Sequence, residues 1–385
     1  MHVCQKAIDI PPFLVMEILE RAQELEREGR KIIHLEVGEP DFDTPAVIRQ
    51  AAASALEAGQ THYTHSMGDL RLREATAAYY DRQYRLSIDP ARIIITSGTS
   101  PAMLVLFAAI LEAGDEVIMA DPHYACYPNF VSYMAGGVPT YVTTVEEDGF
   151  QLGVEAVKEA ITPRTKAILI NSPANPTGQL LSDERMARLA ELGPMVVSDE
   201  IYHGLVYEGR ARSILEFTDR AVVLNGFSKL WAMTGWRLGW LILPPDMVRP
   251  LQKMCQSFFI SVNAFCQAAG VVALSQADGE VAEMVSRYDA RRRLMVARLK
   301  ELGLGIKVEP TGAFYVLANA KHLDHDSSRL AFDILEKAQV GVAPGIDFGQ
   351  AAEGYLRFSY ASSRANIEQA MDRLGAYLKA RGAGS

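Results

Sequence analysis

Residues 224–240 read LNGFSKLWAMTGWRLGW and carry one lysine, Lys229, among small and apolar residues. Apolar runs at 221–225 and 239–243 flank it, so the stretch is predicted to be a strand, a loop and a second strand. Burial lowers the pKa of a lysine, which lets its amine attack a carbonyl carbon. The alternative is a turn whose lysine extends to solvent. This stretch alone leaves both interpretations open.

Short apolar or β-branched runs alternate with helical patterns on both sides of this stretch. The predicted strands are 93–96, 116–120, 138–143, 166–171, 195–198, 221–225 and 239–243. Helical patterns at 101–112, 127–135 and 182–191 lie between them. This alternation predicts an α/β fold with a mostly parallel seven-stranded sheet, helices on both faces and ligands at the carboxyl ends of the strands.

The two ends of the chain are predicted to form a second unit. A long helical pattern covers 280–302, and strands at 307–309, 313–317, 340–342 and 355–359 alternate with helices in the tail. Residues 13–28 predict a helix near the start. We expect a large domain at 41–280 and a smaller α+β domain made of 1–40 and 281–385.

Composition excludes several classes of protein. The net charge of -9 argues against nucleic-acid binding, which favours a basic surface. No apolar run is long enough for a membrane span, and the first residues do not resemble a signal peptide, so a cytoplasmic location is expected. The four cysteines have neither zinc-ligand nor disulfide spacing and are expected to be reduced, and no metal site is predicted.

Polar residues follow three of the predicted strands. Gly98, Thr99 and Ser100 come just before Pro101 at a helix start, where free amides can bind an anion, although an ordinary helix cap has the same composition. Asn175 lies in NSPANPTG, which is either a stiff binding loop or a plain turn. Asp199 and Tyr202 end a buried run, as directed ligands or as a cap.

Four of these motifs, SGTSPA, NSPANPTG, SDEIY and NGFSKLWAMTGWRLGW, occur in this order. Together they resemble the class I and II aminotransferases, which are fold type I enzymes dependent on pyridoxal phosphate. The resemblance extends from LEVGEPDFDTP near residue 35 to YLRFS ending at residue 359. It implies the aspartate aminotransferase-like fold and the cofactor pyridoxal 5'-phosphate.

The resemblance also implies a role for each matching residue. Lys229 would hold the cofactor as a Schiff base and then transfer protons, Asp199 would pair with the pyridine nitrogen, and Tyr202 would bond the ring hydroxyl. The other implied cofactor-binding residues are Gly98, Thr99, Ser100, Tyr124, Asn175, Ser228, Arg237 and Tyr63, the last reaching the phosphate of a partner subunit. The implied substrate-binding residues are Gly38, Asn175 and Arg357.

The expected activity is transfer of an amino group from an L-amino acid to a 2-oxo acid by a ping-pong mechanism, in a homodimer with shared active sites. A β-lyase or a synthase of the same fold is the alternative, since both start from the same carbanion. A nucleotide-dependent dehydrogenase lacks support because no G-x-G-x-x-G is present. Phe13, Leu14 and Val15 are predicted to line the substrate pocket and favour neutral amino acids.

Overall fold

The computed structural model describes residues 2–382. Its helices are α1 (Gln5–Asp9), α2 (Leu14–Arg27), α3 (Ala46–Glu57), α4 (Leu70–Tyr84), α5 (Thr99–Ile110), α6 (Tyr127–Asn129), α7 (Val154–Ala160), α8 (Asp183–Ala190), α9 (Pro245–Phe258), α10 (Ala264–Gln276), α11 (Asp278–Glu301), α12 (Ser327–Ala338) and α13 (Arg364–Gly382). Its strands are β1 (Ile33–His34), β2 (Ile93–Thr96), β3 (Glu116–Asp121), β4 (Val138–Thr143), β5 (Thr165–Asn171), β6 (Met195–Asp199), β7 (Val222–Gly226), β8 (Gly239–Ile242), β9 (Tyr315–Asn319), β10 (Val340–Gly341), β11 (Ala343–Pro344) and β12 (Tyr355–Ser359).

The largest sheet has seven strands in the order β2-β8-β7-β6-β5-β3-β4. All neighbours pair in parallel except β8, which is antiparallel to both β2 and β7. Because two reversals restore the direction, β2 runs the same way as β7. The carboxyl ends of six strands therefore lie at one edge, which confirms the predicted sheet and its mostly parallel pairing.

Helices flank this sheet, and its inner strands are apolar on both faces, whereas the edge strand β4 is largely exposed. Ile93 and Ile95 of β2 belong to one buried apolar cluster, and Ile94 between them belongs to another. Successive side chains of a strand point to opposite faces, so every residue of such a strand is buried. This explains why β2, β7 and β8 read as unbroken apolar runs.

The remaining strands form two small sheets that involve the tail of the chain. Strands β11, β12 and β9 make an antiparallel three-stranded sheet, and β1 pairs in parallel with β10. The start of the chain is thus joined to its end through the pairs Ile33 with Val340 and His34 with Gly341. This pairing supports a smaller unit built from both termini, and the domain limits at 40 and 280 stay a prediction.

One predicted strand is wrong. Residues 307–309 form no strand, because their backbone groups bond side chains: the Lys307 amide donates to Glu146, and the Gln179 amide group donates to the carbonyls of residues 308 and 309. The helical pattern at 127–135 begins as α6 and continues as a π-helical turn, Phe130–Met134. Within residues 2–382, no helix has the length and apolar character to cross a bilayer.

Candidate active site

A cavity of 330 Å³ lies at the carboxyl edge of the large sheet, between it and the smaller unit. We call this cavity the cleft. Its lining residues are Phe13, Val15, Met16, Val37, Gly38, Glu39, Thr99, Ser100, Met103, Tyr124, Tyr127, Asn171, Asn175, Asp199, Ile201, Tyr202, Ser228, Lys229, Thr234, Arg237, Tyr315 and Arg357. Every residue predicted for the site lines the cleft except Gly98, Leu14 and Tyr63.

Lys229 follows β7 and extends its amine into the cleft. Its Nζ donates a hydrogen bond of 2.7 Å to the carbonyl oxygen of Gly38. The rings of Tyr202 and Phe314 lie 5.9 and 5.7 Å from this nitrogen. Burial lowers the pKa of Lys229 to about 8, against the opposing effect of Glu39. About a tenth of the amine is therefore neutral near pH 7, far more than for an ordinary lysine, and this form can act as a nucleophile.

Asp199 ends β6 and is only 4% exposed. One carboxylate oxygen accepts a 2.7 Å hydrogen bond from the Tyr127 hydroxyl, and the other accepts one of 3.1 Å from the Ile201 amide. Burial raises the pKa of Asp199 to about 6, while the Tyr127 bond favours the ionised form. The side chain is thus a carboxylate held in one orientation, suited to pairing with a cationic nitrogen.

A phenol pair and an arginine form the side of the cleft nearest the smaller unit. The hydroxyls of Tyr202 and Tyr315 are 2.8 Å apart and share a hydrogen bond. Arg357 on β12 is 2% exposed, and its guanidinium lies 4.4 Å from the centroid of the Tyr315 ring and 4.7 Å from that of Phe348. Its Nη1 donates a 3.0 Å hydrogen bond to the Asn175 side chain, and its Nη2 donates to the Glu36 carbonyl.

Among the described residues, the Nε atom of Arg357 is one of the few buried polar side-chain atoms without a hydrogen-bond partner. A buried guanidinium that lines a cavity and keeps a free donor is suited to binding a carboxylate.

The opposite end of the cleft is built to hold an anion. Helix α5 begins at Thr99 after Gly98, and no side chain caps its first amides. The backbone of Gly98 has φ +94°, and a Cβ atom there would lie 2.6 Å from Nη2 of Arg237. Glycine therefore lets the guanidinium approach the helix N-terminus, where free amides and a positive dipole attract negative charge. Ser100 and Ser228 add hydroxyls to the same cleft.

Three predicted residues do not line the cleft. Gly98 is beside the cleft and forms the backbone of the anion site, whereas Tyr63 is 80% exposed at the surface. Leu14, predicted to line the pocket, does not do so, because the first turn of α2 presents Val15 and Met16 instead. His123 is packed, with its ring stacked 5.3 Å from that of Tyr141.

Tyr127 and Tyr315 were not predicted from the sequence, although they bond Asp199 and Tyr202, the two central side chains of the site. Their partners Asp199 and Tyr202 are 72 and 113 positions away along the chain. One weak feature of the sequence could have indicated a role for Tyr127, which follows Tyr124 by three residues in the segment after β3. Residues 2–382 contain no group of three or more metal-ligating side chains.

Comparison with known proteins gives one consistent result. The family model for aminotransferase class I and II matches residues 30–374. The (5-formylfuran-3-yl)methyl phosphate transaminase of Methanocaldococcus jannaschii is 39% identical over 97% of this chain and 99% of its own. Aromatic-amino-acid aminotransferase 2 of Thermococcus litoralis is 38% identical, covering 96% of each chain.

A solved structure shows the same architecture. The aspartate aminotransferase from Thermus thermophilus with maleate aligns with a TM-score of 0.93 at 38% identity, over 98% of this chain and 99% of that one. These matches over nearly the whole chain agree with the order of the strands in the large sheet. They also agree with the lysine and the carboxylate found in the cleft. The chain belongs to the class I and II aminotransferase family and is an aminotransferase.

Proposed function

We propose that the cleft binds pyridoxal 5'-phosphate, the cofactor on which this family depends, and that the enzyme transfers amino groups between neutral L-amino acids and 2-oxo acids. The observation that carries the proposal is the presence in one cleft of a lysine with a lowered pKa and a buried carboxylate. When bound, the cofactor supplies an aldehyde and a ring that accepts electrons from the substrate Cα.

The residues of the cleft fit this cofactor in three places. Lys229 provides an amine for covalent attachment to the aldehyde, and Asp199 provides a carboxylate for the ring nitrogen. The uncapped start of α5, with Arg237 against Gly98, provides an anion site for the phosphate. Ser100 and Ser228 are proposed to add hydroxyl contacts to the phosphate, and Tyr124 to stack on the ring.

Proton transfer is assigned to Lys229. Its Nζ takes the proton from the substrate Cα and returns a proton to complete the transfer, which requires a pKa near the working pH. Burial lowers the pKa of Lys229 to about 8, which meets that requirement. Asp199 keeps the cofactor ring protonated, and the hydroxyl of Tyr202 and the amide of Asn175 are proposed to bond the ring hydroxyl.

Arg357 is proposed to bind the substrate carboxylate. Its guanidinium is fixed by Asn175, by the Glu36 carbonyl and by two aromatic rings, so little conformational freedom is lost on binding. A bidentate contact of this kind contributes about 1.5–3 kcal/mol. Gly38 lies beside it, and a Cβ atom there would collide with the Tyr315 hydroxyl, so glycine keeps this end of the cleft open.

The charges of the cleft favour substrates with neutral side chains. Within the described residues its lining has three cations, Lys229, Arg237 and Arg357, and each already has a role. No lining cation is left for a side-chain carboxylate, and Glu39 adds a negative charge at the rim. An apolar wall of the same cleft is formed by Phe13, Val15 and Met16. We infer that alanine, branched and aromatic amino acids are preferred to dicarboxylic ones.

The amino group passes in two half-reactions, in which the donor leaves as a 2-oxo acid before the acceptor enters. A β-lyase or synthase of the same fold would instead expel a group from the substrate side chain. Supplying alanine, leucine, phenylalanine and aspartate, together with cysteine, whose thiol on Cβ can leave, each with a 2-oxo acid acceptor, separates these reactions. Amination of the acceptor, fastest with a neutral donor, is the expected result, whereas release of the donor's side chain without amination would favour the lyase.

The covalent attachment has its own test. After incubation with pyridoxal phosphate and reduction with borohydride, peptide mapping should find the label on Lys229. Lys229→Ala should abolish the label and reduce the amino-transfer rate by about a thousandfold or more. Lys166→Ala, which removes an exposed lysine from β5, serves as the control and should keep both. A wild-type protein that stays colourless and unlabelled would overturn the proposal.

We also propose that the active enzyme is a homodimer. Phe258, Phe259 and Ile260 are exposed together, and the exposed Tyr63 lies near them because the Thr64 amide bonds the Ser261 side chain at 3.1 Å. Contiguous exposed apolar surface of this kind is typical of a subunit interface. In a dimer, Tyr63 would be available to the phosphate site of the partner.

A further inference from the structure

Helix α2 begins without a cap of its own. Its N-cap residue is Phe13, whose side chain cannot accept a hydrogen bond, and no local side chain caps the helix. The missing acceptors come from Asp347, 333 positions away from Leu14 along the chain. One carboxylate oxygen accepts from the Leu14 amide at 3.0 Å and the other from the Val15 amide at 3.1 Å. The carboxylate also interacts favourably with the helix dipole.

The first turn held in this way is the apolar wall of the cleft. Phe13 and Met16 line the cavity, and the ring of Phe13 meets that of Tyr124 edge to face at 6.2 Å. Val15, also in the wall, is 3% exposed and belongs to a buried cluster with Leu317 and Phe348. The N-cap position is thus occupied by a residue that faces the substrate, and capping is left to a distant carboxylate.

Asp347 is itself fixed to the loop that carries Tyr124. It lies in the 3-10 turn Gly345–Phe348, whose last carbonyl accepts a 2.8 Å hydrogen bond from the His123 amide. A few residues later, the Ala351 amide donates to the Asp121 side chain at 3.1 Å. One short segment therefore connects the end of β3, the loop of Tyr124 and the wall.

We infer that Asp347 is a positioning residue for substrate selection, which holds Phe13, Val15 and Met16 at the distance from Tyr124 that suits an apolar substrate side chain. This inference rests on the proposed function. It explains why a phenylalanine stands at a helix start that ordinarily favours Ser, Thr, Asp or Asn. Without the carboxylate, the first turn of α2 unwinds and the wall loses its fixed position.

The test compares Asp347→Ala and Asp347→Asn with the wild type. Amide hydrogen exchange of a peptide covering residues 11–20, in protein free of cofactor, should speed up about fivefold in Asp347→Ala, the factor that corresponds to loss of a helix cap. The KM for leucine should rise about fivefold while the KM and kcat for alanine, whose methyl group does not reach the wall, change little. Asp347→Asn keeps one acceptor oxygen and should restore part of both effects.

Two comparisons exclude simpler explanations. Both variants remove the negative charge that acts on Arg357, so an effect of charge would be equal in the two variants and equal for both donors. Ser182→Ala removes the cap of α8, where the hydroxyl accepts from the Arg185 amide at 3.4 Å, and should leave the leucine-to-alanine ratio unchanged. It controls for general loss of stability.

Several outcomes would overturn the inference. These are unchanged exchange in residues 11–20, an equal loss for leucine and alanine, or a shift of the donor ratio in Ser182→Ala. If the wild type transfers no amino group from any donor, the proposed function fails, and the exchange measurement still decides whether Asp347 holds the wall.

Discussion

At the scale of single residues, two buried ionisable side chains, Lys229 and Asp199, define the site. Burial disfavours the charged form of each. Burial lowers the pKa of Lys229 to about 8 and raises that of Asp199 to about 6. Each pKa thus lies closer to neutrality than the ordinary value for its residue type, so small changes in hydrogen bonding alter which groups are charged. The Tyr127 hydroxyl is such a contact, since it stabilises the ionised form of Asp199.

Replacing Tyr127 by phenylalanine should move the pH dependence of cofactor binding. Loss of the hydroxyl raises the pKa of Asp199 further above about 6, so the carboxylate ionises only at higher pH. The acid limb of pyridoxal phosphate binding should then shift upward by about one pH unit, while affinity well above this limb changes little. The shift is measured by titrating the cofactor at a series of pH values.

Tyr133→Phe is the matched control for this change. Its hydroxyl donates to the Asp9 carbonyl at 2.8 Å, outside the cleft, so its acid limb should coincide with that of the wild type. An acid limb in Tyr127→Phe that stays in place, or moves to lower pH, would show that the phenol does not stabilise the carboxylate.

At the scale of elements, the backbone at the start of α5 shapes the anion site that we propose for the phosphate. Gly98 has a positive φ and lies against the Arg237 guanidinium, so two requirements coincide at one residue. Gly29, after α2, has a similar φ of +91° but open space around its missing Cβ. Substituting each glycine by alanine therefore separates two costs. At Gly29 alanine introduces only backbone strain, whereas at Gly98 it also collides with Arg237.

Gly98→Ala should weaken pyridoxal phosphate binding by about tenfold or more, because the new Cβ displaces Arg237 from the helix N-terminus. Gly29→Ala should lower the free energy of unfolding by about 1 kcal/mol and leave cofactor affinity unchanged. Cofactor titration and chemical denaturation of both variants measure these effects. Equal affinities in the two variants would mean that Arg237 does not contribute to phosphate binding.

Elements with a single strong pattern could be predicted from the sequence, and contacts between distant residues could not. The inner strands of the large sheet were predicted because they are apolar on both faces, whereas the largely exposed edge strand β4 was predicted from its β-branched residues. The strand expected at 307–309 was wrong, because the side chains of Glu146 and Gln179, far away along the chain, bond the backbone groups of that segment. The capping of α2 by Asp347 had no local signal at all, since Phe13 at the N-cap does not indicate where the acceptor lies.

At the scale of the whole molecule, the cleft combines both units of the chain. Arg357 on β12 and the wall of α2 face Lys229 and Asp199 of the large sheet. The exposed Tyr63 and the apolar run 258–260 form the surface that we propose contacts a second subunit. Assembly and activity should therefore depend on that surface.

Phe259→Asp should convert a dimer to a monomer, because a charge in an apolar interface is costly to desolvate. Pyridoxal phosphate affinity should fall with it, since Tyr63 then has no partner site to reach. Analytical ultracentrifugation and cofactor titration measure the two effects. Val308→Asp places the same charge at another exposed apolar position and should remain dimeric. If the wild-type protein sediments as a monomer and binds the cofactor with full affinity, the proposed dimer is contradicted.

The pairing of β1 with β10 also has a consequence for how the protein is made. During translation, the first forty residues leave the ribosome long before β10, the strand with which β1 pairs. They stay without this partner while the large sheet is synthesised. During that interval the apolar face of α2 has no partner. Nascent chains halted before residue 340 should accordingly be sensitive to protease at the beginning of the polypeptide and should recruit chaperones there.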